Sequence, residues 1–308
     1  MAIVVLTYLD GAPAVELVAA LVGDGVPPAA ISVVQNAASA ALELPAGVEL
    51  LTPPGNPGYA GGMNAGIGAA LAAGATSVLL LTHDARPRPG CVAALTAALE
   101  AHHAYGILAP VLRSDDARLP FSAGGHLDRF GAPAHNLDLD GVADGVKPVD
   151  WVDGSVMLVR AEVFARVGLL DERFFMYCDD VEISLRAREA GWRVGVVEAA
   201  QAHQATGVSR RPGAFAYLNT RNGLEVARLA GGAPAVAGNL GRLGRACWDL
   251  GRRSFAPNVP AGEKAAARVR LRATVAGIGH FAIRRWGAPP AGHPGLGDDS
   301  VGDAEAGR

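Results

Sequence analysis

An α/β fold built on a mainly parallel central sheet, flanked by helices, is what this sequence predicts. Three observations carry the expectation. Short apolar runs rich in branched residues recur at 3–8, 31–34 and 77–81, with a weaker one at 48–51; unbroken runs of this kind belong to strands buried on both faces. Stretches of helical length separate them, at 13–21, 61–73 and 89–101, and this alternation is the pattern of βαβ units. Each principal run also stops at polar residues: Tyr8, then Gln35 and Asn36, then Thr82, His83 and Asp84. Ligands of open α/β sheets sit beyond the carboxyl ends of the strands, so these separated residues gather into one cleft.

The elements have local causes. Pro13 suits the first turn of a helix, where its missing N–H is not needed. The turn Gly55-Asn56-Pro57-Gly58 leads into the helix at 61–73. Residues 113–148 are rich in Gly, Asp and Pro and read as irregular or short-stranded, a cover for the cleft. Order returns at 149–151, followed by a strand at 154–159, a helix at 161–167, a helix at 180–190 and a strand at 193–197. We expect an α/β domain over 1–230 and a basic helical extension over 231–286; the tail, 287–308, rich in Gly, Pro and Asp, reads as disordered. Residues 241–285 carry ten Lys and Arg against two acids. The stretch 268–286 has two readings: a basic amphipathic helix against an anionic membrane, or a helix packed on the domain with its arginines in water.

Composition narrows the class. With 50% hydrophobic and 19% charged residues among 308, the chain is globular rather than disordered. A formal net charge of -3 does not advertise a nucleic-acid partner. Cys91, Cys178 and Cys247 form neither a disulfide framework nor a zinc pattern, which points to a reducing, cytoplasmic compartment. There is no basic leader before the first apolar run and no stretch long enough for a clear membrane span.

Three groups of residues can carry chemistry. Asp84 follows a buried strand, where it can reach a metal or ligand or simply cap a helix. Asp179 and Asp180 follow an aromatic run; adjacent acids repel, which raises the proton affinity of one and suits a general base. The competing account is capping of the helix they precede. Residues 56–64 (NPGYAGGMN) form a glycine-rich helix entrance that lets backbone and Asn side chains approach a ligand, though a plain tight turn also explains it. It is neither a P-loop nor a dinucleotide fingerprint. His203, expected after a short strand and turn, matters only in partnership with Asp84, and His102 and His103 fall at a helix end.

Taken in order, these segments resemble the GT-A family of inverting glycosyltransferases called family 2, and within it the rhamnosyltransferase-like enzymes of bacterial cell-surface polysaccharides. The resemblance covers about residues 2–225 and rests on IVVLTY at 3–8, VVQNAA at 33–38, NPGYAGGMNAGI at 56–67, LLLTHDA at 79–85, DWVDGSVMLVRAEVF at 150–164, GLLDERFFMYCDDVEISLRAREAGWRV at 168–194 and AQAH at 200–203. It implies a GT-A nucleotide-diphospho-sugar transferase fold over 1–230. Thr7, Tyr8, Gln35 and Asn36 would surround the nucleotide base and ribose. The donor pocket would be shaped by Asn56, Gly58, Tyr59, Ala60, Gly61 and Asn64, with His83 beside it and Arg221 near the donor phosphate or the domain junction. Asp84 would hold Mg2+ or Mn2+ on the diphosphate, with His203 completing the metal shell. Asp180 would be the base, oriented by Asp179, and Trp151, Asp153 and Gly154 would meet the acceptor or donor sugar.

The departures from the family pattern are Gln35 for a common Asp, His83 for a common Pro or Asp, Thr82 for the first carboxylate of the DxD element, and Asp153 for a small or polar residue. The implied reaction is a single displacement with inversion. A nucleotidyltransferase is disfavoured because residues 3–11 lack a basic phosphate contact; a non-catalytic carbohydrate-binding protein is the third reading. Among donors the resemblance favours dTDP-rhamnose, ahead of UDP-hexoses and UDP-galactofuranose. A lipid-linked glycan, another glycolipid or a growing polysaccharide fits as acceptor, with the chain peripheral at the inner face of the plasma membrane. A soluble acceptor and a homodimer through the C-terminal helices stay open.

Overall fold

In chain order the first strand, β1 (Ala2–Tyr8), is followed by α1 (Ala12–Gly23), β2 (Ile31–Asn36), β3 (Glu49–Leu51), α2 (Gly58–Ala72) and β4 (Ser77–Thr82). Then come β5 (Ala85–Pro87), α3 (Cys91–Ala101), β6 (Tyr105–Arg113), β7 (Gly125–Leu127), β8 (Pro133–His135) and β9 (Val146–Val149). The series closes with β10 (Val156–Arg160), α4 (Ala161–Val167), α5 (Asp179–Glu189), β11 (Arg193–Gln204), α6 (Pro212–Phe255) and α7 (Ala261–Ala282). The structure, a computed structural model, describes residues 1–9, 11–37, 41–114, 120–204 and 212–290; most of the tail expected to be disordered, from 291 on, lies outside them.

Among the described residues nine strands form one sheet, ordered β3-β2-β1-β4-β10-β6-β11-β5, with β9 also on β11; β7 and β8 pair separately. Successive side chains of a strand point to opposite faces, and here both faces are covered. Ile3 and Val5 enter one core with Leu17 and Leu21 of α1 and Leu95 and Leu99 of α3. Val4 and Leu6 enter the other with Ala60, Met63 and Ile67 of α2, Phe164 of α4 and Ile183 of α5. Burial on both faces is why these strands read as unbroken apolar runs.

The expectation of parallel pairing holds for β3, β2, β1 and β4 and for β6 with β11. Strand β10, however, runs antiparallel to both β4 and β6, and β5 and β9 run antiparallel to β11. The sheet is therefore mixed. An apolar run buried on both faces carries no record of its direction, so the sequence pattern cannot distinguish the two cases.

Helix α2 lies unusually close to the sheet because glycines face it. A Cβ at Gly62 would meet Leu6 and Asn36 at 2.6–2.8 Å, and one at Gly66 would strike Val4. This proximity lets the first turn of α2 reach the ends of β1 and β2. Strand β11 is longer than the five residues expected. A bulge between Val197 and Gln201 divides it, and it continues to Gln204, so His203 lies within the strand rather than after it. The bulge breaks the alternation that would have marked the continuation.

The chain divides into two compact units, Met1–His126 with Pro133–Thr206, and Leu127–Ala132 with Gly207–Arg308. In the second, α6 kinks at Gly231 (φ -150°) and Gly232 (φ 64°, ψ -152°), just before Pro234. Gly232 takes a conformation open essentially only to glycine, and Pro234 has no N–H for the helix ladder. The first part of α6 packs on α7 through small residues: a Cβ at Gly277 would sit 2.7 Å from the Tyr217 carbonyl oxygen. Among the described residues no helix is long and apolar enough to cross a membrane.

Candidate active site

The first unit carries the candidate site at the carboxyl ends of β1, β2 and β4. Thr7 stands opposite Gln35, and Tyr8 opposite Asn36, in the parallel ladder. Thr7, Gln35 and Asn36 are buried, and Tyr8 is half-buried. The Asn36 amide donates to the Gly58 carbonyl at 2.7 Å, while its Oδ1 is buried with no partner among the described residues. Ala37 N–H donates to Gly55 O at 2.9 Å, drawing the glycine-rich turn onto the end of β2. Asn56 Oδ1 accepts from Gly58 N–H at 3.1 Å and shapes that turn.

Gly58 has φ +78°, and a Cβ there would fall on the Phe175 carbonyl oxygen. Tyr59 N–H donates to that same oxygen at 2.6 Å. Ala60 is fully buried and serves the core. Gly61 lies against Pro57, with a built Cβ 2.7 Å from the Pro57 side chain. Asn64 is occupied elsewhere: its amide donates to Leu170 O (2.9 Å) and Glu172 Oε1 (3.0 Å), and its Oδ1 accepts from Leu170 N–H (3.0 Å). It braces the wall formed by residues 170–172.

The antiparallel course of β10 completes the site. Val156 stands opposite Leu81, so residues 153–155, which precede β10, lie beside the carboxyl end of β4. Thr82 N–H donates to Ser155 O at 3.0 Å. The Thr82 and Ser155 hydroxyls are both buried there without a partner among the described residues. Asp153 Oδ1 accepts from Ser155 N–H at 2.9 Å, closing a tight turn around Gly154.

Asp180 reaches this turn from the other side. Its Oδ2 accepts from Gly154 N–H at 2.9 Å and its Oδ1 from Val181 N–H at 2.8 Å. Gly154 has no room for a side chain, since a Cβ would lie 2.8 Å from Tyr59 Oη and 3.1 Å from Asp180 Cβ. The Tyr59 hydroxyl donates to Gly154 O at 2.5 Å. One peptide group thus takes Tyr59 on its carbonyl, while the adjacent N–H holds Asp180.

Electrostatics single out the acid pair. Burial, and then the negative charge of Asp153, push Asp180 up to about 7, against the pull of its backbone hydrogen bonds. Asp179 is 3% exposed, has one carboxylate oxygen without a partner among the described residues, and is pushed well above its ordinary value by burial and then by Asp180. Tyr59 is held protonated by burial and by Asp179, Asp180 and Asp153, which suits it to donate. The capping account also holds in part: Asp179 and Asp180 lie in the first turn of α5, directly after the N-cap Cys178, and Asp180 Oδ1 takes the first-turn Val181 N–H. The approach to α5 is strained, with Phe175, Tyr177 and Cys178 all at positive φ (65°, 68° and 64°). Non-glycine residues pay about 1–2 kcal/mol each for such conformations, which persist where the surroundings over-determine them.

Trp151 is 4% exposed and rests its indole on Gly125, with Nε1 donating to His126 O at 3.3 Å. His135 meets its edge at 4.8 Å and Phe121 at 5.4 Å. His135 and Phe121 come from the glycine- and aspartate-rich stretch, where no periodic signal marked them in the sequence.

His83 and Asp84 occupy the turn after β4, and His83 N–H donates to Leu6 O at 3.0 Å. The Asp84 side chain is half-buried and engages no partner among the described residues. Gln204 stands opposite Ala85, and His203 opposite Arg86, so Asp84 lies just beyond this end of the β5–β11 ladder. His203 Nε2, however, contacts Arg88 at 2.6 and 3.0 Å. Among the described residues no three His, Cys, Asp or Glu side chains converge on a metal position. A half-buried, unpartnered carboxylate still fits an ion of the Mg2+ or Mn2+ type, which characteristically takes one or two protein carboxylates and completes its shell with phosphate oxygens and water. As found, His203 is committed to Arg88.

Arg221 belongs to the second unit. It is fully buried, donates to Asn222 Oδ1 (2.9 Å) and Gly287 O (2.8 Å), and lies over the rings of Tyr217 and Trp286 at 5.3 and 5.5 Å.

A mixed sheet covered on both faces, with a glycine-rich helix entrance and acids gathered at its carboxyl ends, defines the GT-A class of fold. GalNAc-T7, solved with UDP, GalNAc and Mn2+, superposes with a TM-score of 0.60 at 13% identity, over 94% of this chain and 58% of that one. The mannosyltransferase PcManGT of Pyrobaculum calidifontis, solved with GDP-Man and Mn2+, gives 0.53 at 15% identity, over 92% and 87%. Residues 12–224 match the family described as glycosyltransferase like family 2, and the chain belongs to that family. It is 43% identical over 68 residues to the N-acetylglucosaminyl-diphospho-decaprenol L-rhamnosyltransferase of Mycobacterium tuberculosis H37Rv, 21% of this chain and 22% of that protein. It is 30% identical over 173 residues to the low-salt glycan biosynthesis hexosyltransferase Agl10 of Haloferax volcanii, 54% and 56% of the two chains. The matches thus span about a fifth and just over half of these relatives.

Proposed function

We propose that the chain is an inverting glycosyltransferase that moves a sugar from a nucleotide-diphosphate donor to a hydroxyl of a glycan or lipid-linked glycan. The observation that carries this reading is Asp180: a half-buried carboxylate aimed by two backbone N–H groups, with a proton affinity raised to near neutrality. A general base works best when its pKa lies near the working pH.

Asp180 accepts the proton of the acceptor hydroxyl as that oxygen attacks the anomeric carbon from the face opposite the nucleotide. The Gly154 and Val181 amides keep the carboxylate in position, and Tyr59 fixes the Gly154 peptide. Burial and the neighbouring Asp180 raise the proton affinity of Asp179, which lessens a second charge beside the base. Tyr8 and the turn at 56–61 take the nucleoside end of the donor, with buried Asn36 holding that turn through Gly58 O; Asp153 and the 153–155 turn take the sugars, with Trp151 buried as support. Asp84 would hold a divalent ion, which would supply charge stabilisation to the departing diphosphate.

For the donor we favour dTDP-rhamnose, supported by the rhamnosyl specificity in the name of the mycobacterial relative. A UDP-hexose or UDP-galactofuranose is the alternative. The same relative's name supports a polyprenyl-diphosphate-linked acceptor.

Binding across dTDP-, UDP- and GDP-sugars, with and without Mn2+, tests the donor site. We expect one metal-assisted donor, weakened at least about tenfold by Asp84→Ala. Failure of a folded sample to bind any donor, alone or with acceptor glycolipid, would overturn the assignment.

A second test concerns the base. Because Asp153 contributes to the raised proton affinity of Asp180, Asp153→Asn should move the acidic limb of the pH–rate profile to lower pH. An unmoved limb would show that another group titrates there.

A further inference from the structure

We propose that one exposed face of the second half of α6 docks on an anionic lipid surface. Arg245, Trp248, Arg252 and Phe255 follow each other at steps of three, four and three residues, the spacing that aligns side chains on one face of a helix. All four are exposed, Trp248 to 68% and Phe255 to 82%. Large aromatic rings left this open on a helix are unfavourable in water, and exposed apolar groups rimmed by charge mark interaction surfaces. Arg268 of α7 adds its guanidinium over the Phe255 ring at 5.9 Å.

Beside the stripe runs a groove of about 620 Å³ lined by Leu250, Arg252, Arg253, Arg270 and a single acid, Asp249. Three guanidiniums at one groove match the fork geometry of phosphate oxygens.

Alternating Arg and aromatic residues along one straight helix face is what an interfacial helix presents to a bilayer. Rings enter the headgroup boundary, while guanidiniums remain at phosphate level. Charge complementarity selects this occupant. A second copy pairing through the same patch would crowd two sets of arginines into one interface, with a single groove acid, Asp249, per copy to offset them. Single-stranded nucleic acid calls for a groove that tracks the backbone together with stacking rings, whereas Trp248 and Phe255 stand on an open helix face. For residues 268–286 the sequence leaves two readings, a membrane-facing helix or a packed one with its arginines in water. In the structure α7 turns Ala267, Ala273, Thr274 and Gly277 inward, and the aromatic–basic stripe lies on α6.

The test is co-sedimentation of the full chain with phosphatidylcholine vesicles, with and without phosphatidylglycerol, alongside tryptophan emission. The chain should pellet with the anionic vesicles and shift its emission to the blue, and Trp248→Phe should remove that shift. Arg245→Glu with Arg252→Glu should cut partitioning at least about 30-fold, and Trp248→Ser with Phe255→Ser should weaken it at unchanged charge. These side chains are exposed, so thermal unfolding should match wild type and separate lost docking from lost folding. Absent or lipid-independent partitioning, or partitioning indifferent to both double variants, would overturn the proposal. So would a concentration-dependent dimer abolished by Trp248→Ser in a chain that ignores vesicles, or oligonucleotide binding in place of vesicle binding.

Discussion

Asp180→Asn is expected to lower kcat about 10²–10⁴-fold, the usual contribution of a positioned general base, with nucleotide-sugar affinity little changed. The substitution is nearly isosteric, and its amide oxygen can still accept the Gly154 N–H, so the turn at 153–155 should keep its shape, while the Val181 N–H loses its side-chain acceptor. What disappears is the capacity to take a proton. In the wild type the rate should rise with pH through about 7, as Asp180 ionises; the residual rate of the variant should lose that limb. Stability should move the other way. Asp180 has a folded-state pKa above its unfolded value, so it contributes stability that is present at low pH and lost as pH rises through about 7. At pH 8 the Asn variant should therefore unfold at a temperature equal to or above that of wild type. Steady-state kinetics and thermal unfolding on the same samples check both halves. Loss of activity together with a lower unfolding temperature at pH 8 would indicate a structural role instead.

Gly58→Ala should destabilise the first unit by about 3 kcal/mol or more, combining the penalty for an L-residue at positive φ with overpacking. The φ of +78° is only part of the reason, because the new methyl would fall on the Phe175 carbonyl. Phe175 O also accepts from Tyr59 N–H, and Tyr59 Oη donates to Gly154 O, whose neighbouring N–H holds Asp180. Pushing Phe175 away should therefore reach the base through three hydrogen-bonded steps, and kcat should fall as well as stability. Gly55→Ala is the control. Its φ is also positive (+69°), but nothing lies within 4 Å of a built Cβ, so it should show the backbone penalty without the loss of turnover. Equal effects from the two substitutions would refute the argument from contact.

Much of the fold was legible because local chemistry determines it. Unbroken runs such as 77–81 had to be buried strands, and Thr82-His83-Asp84 had to leave the core, since an unpaired carboxylate is costly there. The glycine-rich entrance at 56–64 was also readable, but not the reason for it. Gly62 and Gly66 are glycines because α2 touches β1 and β2, and only three-dimensional proximity shows that. Asn64 illustrates the limit: as an Asn at the mouth of a turn it reads as a ligand contact, whereas its amide is consumed by Leu170 and Glu172. His203 illustrates another, since its commitment to Arg88 joins residues 115 positions apart.

By itself, then, the sequence determined which segments are buried strands, where they end in polar residues, and that Asp84, Asp179 and Asp180 sit at element boundaries. These are properties of neighbours along the chain, dictated by burial, turn chemistry and the expense of placing charge in a core. Only the tertiary structure decided the direction of β10. Because it runs antiparallel to β4, the Asp153–Ser155 turn arrives at the carboxyl end of the sheet, where Gly154 can hold Asp180 and Tyr59 can hold Gly154. A parallel β10 would have carried the same residues to the opposite end, and a run buried on both faces records nothing about which way it points.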